Sequence, residues 1–173
     1  MRLTLLLFII FSSGISLFGQ KVANTPEEFE KQYNINIRKS RINGYYIPKN
    51  FDEAVQEFRR LSPPSSVEKF KTADEDLVVK KLHFGLGKWL AANWSFYEGS
   101  RFSHMLRMKG VSDPNDMIQV TLRTIHRSLN EKELDLEGQI IKIRELQKKE
   151  HEERLKSRQI IDQKTVKIDT IKP

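Results

Sequence analysis

The sequence predicts an all-α fold: a small compact domain of about five or six short helices with a longer, polar, partly protruding C-terminal helix. Three observations predict it. Apolar residues recur at three- and four-residue spacing in segment after segment, and no stretch alternates apolar with polar residues as a half-buried strand does. Helix starts are marked by capping residues, as in Thr25-Pro26, Asn50-Phe51 and Asp113-Pro114. Beyond position 19 there are thirteen aromatic residues, eleven of them between positions 45 and 102 and none after 130. Because one aromatic side chain buries roughly 150–250 Å², that middle segment can build a core.

Taken in order, Thr25 before Pro26 with Glu28 three residues on is a capping-box helix start, and Phe29 and Tyr33 follow at helical spacing. Asn43-Gly44 and Pro48 predict a turn and an extended entry to the domain. Asn50 caps the next helix, whose face carries Phe51, Ala54, Val55, Phe58 and Leu61, with Asp52 and Glu53 at its positive end. Ser62-Pro63-Pro64 ends it. A short helix over residues 67–70 follows, and Thr72 is expected to cap another, with Leu77, Val78 and Leu82 on its apolar face.

Gly85 and Gly87 interrupt that period. Each costs roughly 1 kcal/mol relative to alanine inside a helix, so this spot is either a junction between two helices or a close helix crossing; the junction is the preferred reading, with residues 84–94 as the central buried helix. Ser100 or Gly99 begins a helix through Phe102, Met105 and Leu106, and Gly110 ends it. Asp113-Pro114 opens the last domain helix, with Met117, Ile118, Thr121, Leu122, Ile125 and Leu129 as its stripe. Leu136, Ile140, Ile143 and Leu146 sustain a stripe before the chain turns almost wholly polar. Glu145 with Lys149 and Glu150 with Arg154 then support an exposed helix by about 0.2–0.5 kcal/mol per pair.

The chain of 173 residues therefore divides into a signal peptide (1–19), an N-terminal helix and linker (20–44), the helical domain (45–136), a charged C-terminal helix (137–160) and a disordered tail (161–173). The signal reading rests on Arg2, an apolar run from Leu3 to Phe11, and smaller, more polar residues to Gly19. A bilayer span needs roughly 20 mostly apolar residues, and this stretch includes Ser12, Ser13, Gly14 and Ser16. Cleavage is expected after Gly19, with Gly14 as the alternative, which places the protein in the periplasm or outside the cell. An uncleaved N-terminal segment anchoring it to a membrane is the other reading. With no stable span after cleavage, the rest of the chain lies free of the bilayer.

Composition narrows the chemistry. There is no cysteine, which excludes a disulfide framework, a thiolate metal site and a cysteine nucleophile. The formal charge is +7, falling to +6 without residues 1–19. No arginine-rich run or RNA-recognition signature accompanies it, so nucleic acid is not an expected partner. The four histidines show no pair at three- or four-residue spacing, so no metal and no cofactor is expected. Gly85-Leu86-Gly87-Lys88 lacks the spacing of a phosphate-binding loop and follows no strand. Ser100 and His104 could share a helix face but have no acid partner.

The one candidate catalytic residue is Glu98. In Trp94-Ser95-Phe96-Tyr97-Glu98-Gly99, aromatic neighbours could desolvate its carboxyl and suit it to act as a general acid on a glycan, against which stand Arg101 and the lack of a second carboxylate. An ion pair of Glu98 with Arg101 or Lys88 is the structural alternative. Candidate binding residues are His83, Trp89, Asn93, Trp94 and Arg101.

Tyr46-Ile47-Pro48 with Asn50 and Asp52-Glu53-Ala54, then His83-Phe84-Gly85-Leu86-Gly87 with Trp89 and Asn93-Trp94, then Gly99-Ser100-Arg101 and Asp113-Pro114 with Asp116-Met117, form a pattern over residues 45–136. It resembles the domain-of-unknown-function family 6794 of bacteria. Asn115 stands where the pattern leads one to expect an acidic residue. The resemblance implies a bacterial source and supports the domain limits; it implies no activity. The expectation is an exported, non-enzymatic binding or interaction module whose partner is an envelope protein or a glycan. The alternative is a small envelope enzyme acting on peptidoglycan or another glycan, with Glu98 as acid.

Overall fold

The computed structural model describes residues 25–169, with side chains described as far as residue 158; the expected signal peptide lies outside the described residues. Helix α1 (Pro26–Asn36) begins as its sequence dictates. Thr25 Oγ1 accepts the Glu28 N–H at 3.2 Å, and Pro26 occupies the first helical position, where no backbone donor is needed. Strands β1 (Arg41–Ile42) and β2 (Tyr45–Tyr46) then pair antiparallel, Arg41 facing Tyr46 and Ile42 facing Tyr45. Asn43 (φ 50°) and Gly44 (φ 82°) supply the two positive φ angles that a two-residue hairpin turn demands. The dipeptide marks this turn in the sequence, but two-residue strands are too short to show an alternation.

Helix α2 (Phe51–Leu61) is capped by Asn50, whose side chain accepts the Glu53 N–H at 2.9 Å, and it buries Phe51, Ala54, Val55 and Phe58. Helix α3 (Pro64–Thr72) is longer than residues 67–70, because Pro64 opens it a turn earlier. Thr72 does not cap the next helix. Its hydroxyl turns back to the Glu68 carbonyl at 2.9 Å, and Asp74 caps α4 (Glu75–Leu82) by accepting the Leu77 N–H at 2.9 Å. Ala73 is extended, so the last non-helical side chain before α4 is that of Asp74.

The glycines lie where two helices join without a loop. A five-residue π turn, His83–Gly87, carries α4 directly into α5 (Lys88–Asn93). Gly87 is pressed against the last domain helix, where an added Cβ would collide with Ile118 Cγ2; at Gly85 it would meet open space. The wider turn shifts the helix face, so residues 84–94 are not uniformly buried. Leu90, Ala91 and Trp94 are buried, whereas Phe84 is 80% and Trp89 38% exposed.

Ser100 caps α6 (Arg101–Met108) through a reciprocal pair with Ser103, and Gly110 follows it at φ 90°. Asp113 caps α7 (Pro114–Leu129), against which α2, α3, α4, α5 and α8 (Leu136–Asp169) all pack. Trp94, Phe96 and Phe102 fill the centre, with the Phe102 ring 5.3 Å from Trp94 and 5.9 Å from Phe96. The six short helices α2 to α7 make the domain all-α, with the hairpin as its small exception.

Leu136, Gln139, Ile140 and Ile143 dock α8 on the domain, and every described side chain from Arg144 onward is exposed. The helix does not stop at residue 160. It continues to Asp169, into the stretch expected to be a disordered tail, and no glycine or proline stands between Gly138 and Pro173 to end it. Residues 170–173 of that tail lie outside the described residues. No described helix is long and apolar enough to cross a membrane.

Candidate functional site

The structure disperses the residues singled out by sequence. Arg101, at the start of α6, reaches back to the hairpin. Its guanidinium lies 5.0 Å from the Tyr46 ring centroid, its Nε donates to the Ile47 carbonyl at 2.7 Å, and it pairs with Glu53 at 3.4 Å. Glu53 also accepts from the Tyr46 hydroxyl at 2.8 Å and the Lys49 N–H at 2.9 Å. Partial burial would raise the Glu53 pKa, but the Lys49 N–H, the Tyr46 hydroxyl and the Lys49 ammonium outweigh it and bring it down to about 2. This arrangement is a clamp that ties the domain entrance to α6.

Trp89 and Asn93 come together one turn apart, the Asn93 amide donating to the Trp89 carbonyl at 2.8 Å, and the Trp89 ring meets Tyr45 edge-on at 5.7 Å. Trp94 is fully buried, and its indole N–H has no hydrogen-bond partner. His83 is half-buried at the end of α4 and packs on the Phe84 ring at 5.0 Å. These residues do not converge on one cavity.

Glu98 is exposed, while Trp94 and Phe96, the neighbours expected to desolvate it, point into the core. Arg101 is engaged with Glu53, and Lys88 donates to the Tyr97 hydroxyl at 3.1 Å and to Asn115 Oδ1 at 2.8 Å. Neither cation is recruited by Glu98. Glu98 therefore stands outside the apolar surroundings expected for it. Ser100 is committed to Ser103, and His104 shares a hydrogen bond with the Tyr33 hydroxyl at 2.7 Å. Among the described residues no three His, Asp or Glu side chains are grouped so as to hold a metal ion.

A charge network that sequence reasoning missed holds α4 on α7. Arg123 bonds Glu75 at 2.6 Å and Asp76 at 2.7 Å, Arg127 bonds Glu75 at 3.0 Å, and His126 Nε2 donates to the Ala73 carbonyl at 2.9 Å. Burial works against the ionised Glu75, but the two guanidiniums override it and lower its pKa. The partners lie 47 to 53 positions apart, so no local spacing could reveal them.

Beside this network is a preformed cavity. Helices α3 and α4 part at Ala73 and leave a crevice of about 770 Å³, floored by Phe58, Phe70 and Val78 and walled by Leu77, Leu82 and Leu86. Leu61 at the end of α2 and Leu77 stand at its edge, 37% and 42% exposed. Its polar lining is limited to Ser62, Ser66, Lys69 and Lys81. That volume lies within the roughly 300–1,000 Å³ of small-ligand sites. The sequence places Leu61 and Leu77 on apolar faces; it does not show that two such faces diverge.

Residues 47–129 match the family model described as "Domain of unknown function (DUF6794)". The match contains the His-Phe-Gly-Leu-Gly and Asn-Trp block, Glu53 and Arg101. No curated protein and no solved structure matches the chain.

Proposed function

We propose that this chain, whose residues 47–129 carry the DUF6794 domain, is an exported, non-enzymatic binding module of the cell envelope that uses the crevice between α3 and α4 to hold its ligand. The observation that carries this reading is the crevice itself. It is open and apolar, and neither a carboxylate nor an imidazole lines it. Such a lining favours association by burial of apolar surface and offers no group for proton transfer. The side chains that could do chemistry lie elsewhere: Ser100 and His104 are bound to other partners, and Glu98 stands in water. Export rests on the charge and apolar pattern of residues 1–19.

The test is titration of the purified protein with ANS, an anionic sulfonate dye that brightens on apolar surface, alongside Leu77→Asp. Leu77 is exposed enough for the change to leave the core intact. The expected result is bright, saturable dye fluorescence with the parent protein and its loss with Leu77→Asp at an unchanged melting temperature. No dye binding by the parent, or equal binding by the variant, contradicts the reading.

A further inference from the structure

We infer that the occupant of the crevice is an amphipathic helix of a partner protein, with apolar anchors at i, i+4 and i+7 and carboxylates flanking that stripe; the inference rests on the crevice being the binding surface proposed above. Shape is the first argument. This wall presents Leu77 and Leu82 on α4 and Leu86 in the π turn that follows, a row of nine residue steps and so longer than the seven steps, about 10 Å, from i to i+7 in a docked helix. The opposite wall is α3, and the floor is Phe58 and Phe70. A third helix laid between them buries its stripe in the way helices pack on helices.

The edge decides between a helix and a single acyl chain. Leu61 and Leu77 stand partly in water at the mouth of the crevice. A helix, about 10 Å wide, has surface to cover exposed edges as well as a floor, whereas a single hydrocarbon chain seated on the floor has little to offer them.

Charge sets the flanks. Lys69 on α3 and Lys81 on α4 line opposite walls, no acidic side chain lines either, and neither ammonium has an ion-pair partner among the described residues. A helix seated between them meets a cation on each side. Carboxylates on both flanks are attracted and guide docking, and lysines there are repelled.

The experiment is fluorescence anisotropy of the purified protein with a labelled synthetic peptide of about four helical turns, bearing leucines at i, i+4 and i+7 and glutamates beside them. A second peptide carries lysines in place of the glutamates, and a long-chain fatty acid is tested for displacement of ANS. The acidic peptide is expected to bind at least about tenfold more tightly than the basic one, and Lys69→Glu with Lys81→Glu to invert that preference. Equal binding of the two peptides, or a preference unmoved by the double charge reversal, overturns the inference. Displacement of ANS by the fatty acid but not by the acidic peptide overturns it too, while leaving the crevice a binding surface. A dimer in sedimentation that Leu77→Asp dissolves assigns the crevice to a second copy and overturns it as well. If neither the dye nor any of these ligands binds, the reading of the crevice itself fails.

Discussion

Arg101 donates a hydrogen bond from Nε to the carbonyl of Ile47 at 2.7 Å, joining the first residue of α6 to the end of the hairpin 54 positions earlier. The same guanidinium lies over the Tyr46 ring and reaches Glu53. Lysine reproduces the charge but neither the planar stack nor the directed Nε donor. Arg101→Lys is therefore expected to cost about 1.5–3 kcal/mol, the range for a hydrogen bond involving a charged group. Urea unfolding of the two proteins checks it; a midpoint unchanged by the substitution removes the clamp from the account.

Acid sensitivity should follow Glu53 and Asp116 in opposite senses. The Glu53 pKa is lowered from 4.5 to about 2 in the fold, so its carboxylate stabilises the protein above pH 4.5, and that contribution fades as pH falls toward 2. Glu53→Gln should be destabilising at pH 7 and close to neutral near pH 2. Asp116 is raised by burial and by the Asp113 carboxylate, with Glu150 adding to the effect against the Gln147 amide. Its ionisation therefore weakens the fold as pH rises through its folded-state pKa, and Asp116→Asn should raise stability at pH 7 and lose that advantage in acid. Thermal melts of both variants across pH 2–7 measure the two trends.

Gly87 and Gly85 should behave differently although they stand two residues apart. A Cβ at Gly87 meets Ile118 Cγ2 and Leu122 Cδ1, so Gly87→Ala is expected to cost about 1–3 kcal/mol by overpacking. Gly85 has open space around it and no positive φ, so Gly85→Ala should be neutral or stabilising by up to about 1 kcal/mol. Denaturant midpoints distinguish the pair; equal losses contradict the close approach of the π turn to α7.

Truncation after Gln147 should leave the domain intact. It keeps Leu136, Ile140 and Ile143 on the domain and the Gln147 amide on Asp116 at 2.6 Å, and it removes only side chains that are exposed as far as they are described. Far-UV dichroism should fall in proportion to the helix lost, with the melting temperature unchanged. A large drop in melting temperature shows that the overhanging part of α8 carries stability.

Features written in local sequence were legible, and features made by distant packing were not. Thr25, Asn50 and Asp113 cap α1, α2 and α7 as their spacing requires, because a cap involves only residues within three positions. At α4 the local pattern points to Thr72 whereas Asp74 caps, since which residue lies just outside the helix depends on where α3 lets go. The glycine pair marks a junction or a close crossing, but only packing shows that Gly87 and not Gly85 makes the close approach, against Ile118 31 positions away. Trp89 and Trp94 have the same residue type and similar apolar surroundings in sequence, yet one faces Tyr45 at the surface and the other is sealed in the core. The crevice depends on the angle at which α3 leaves α4. A periodicity names the face a helix hides; it does not say whether a neighbour arrives to cover it.

The central claim is that this protein works by holding an apolar, acid-flanked segment between α3 and α4. Amide chemical-shift mapping with the isotope-labelled protein and the acidic amphipathic peptide tests it most directly. The account predicts shifts confined to the end of α2, to α3, to α4 and to the π turn as far as Leu86, centred on Lys69, Leu77 and Lys81. Shifts centred instead on Glu98, on the Tyr45 and Trp89 pair or on α8, with α3 and α4 silent, contradict it.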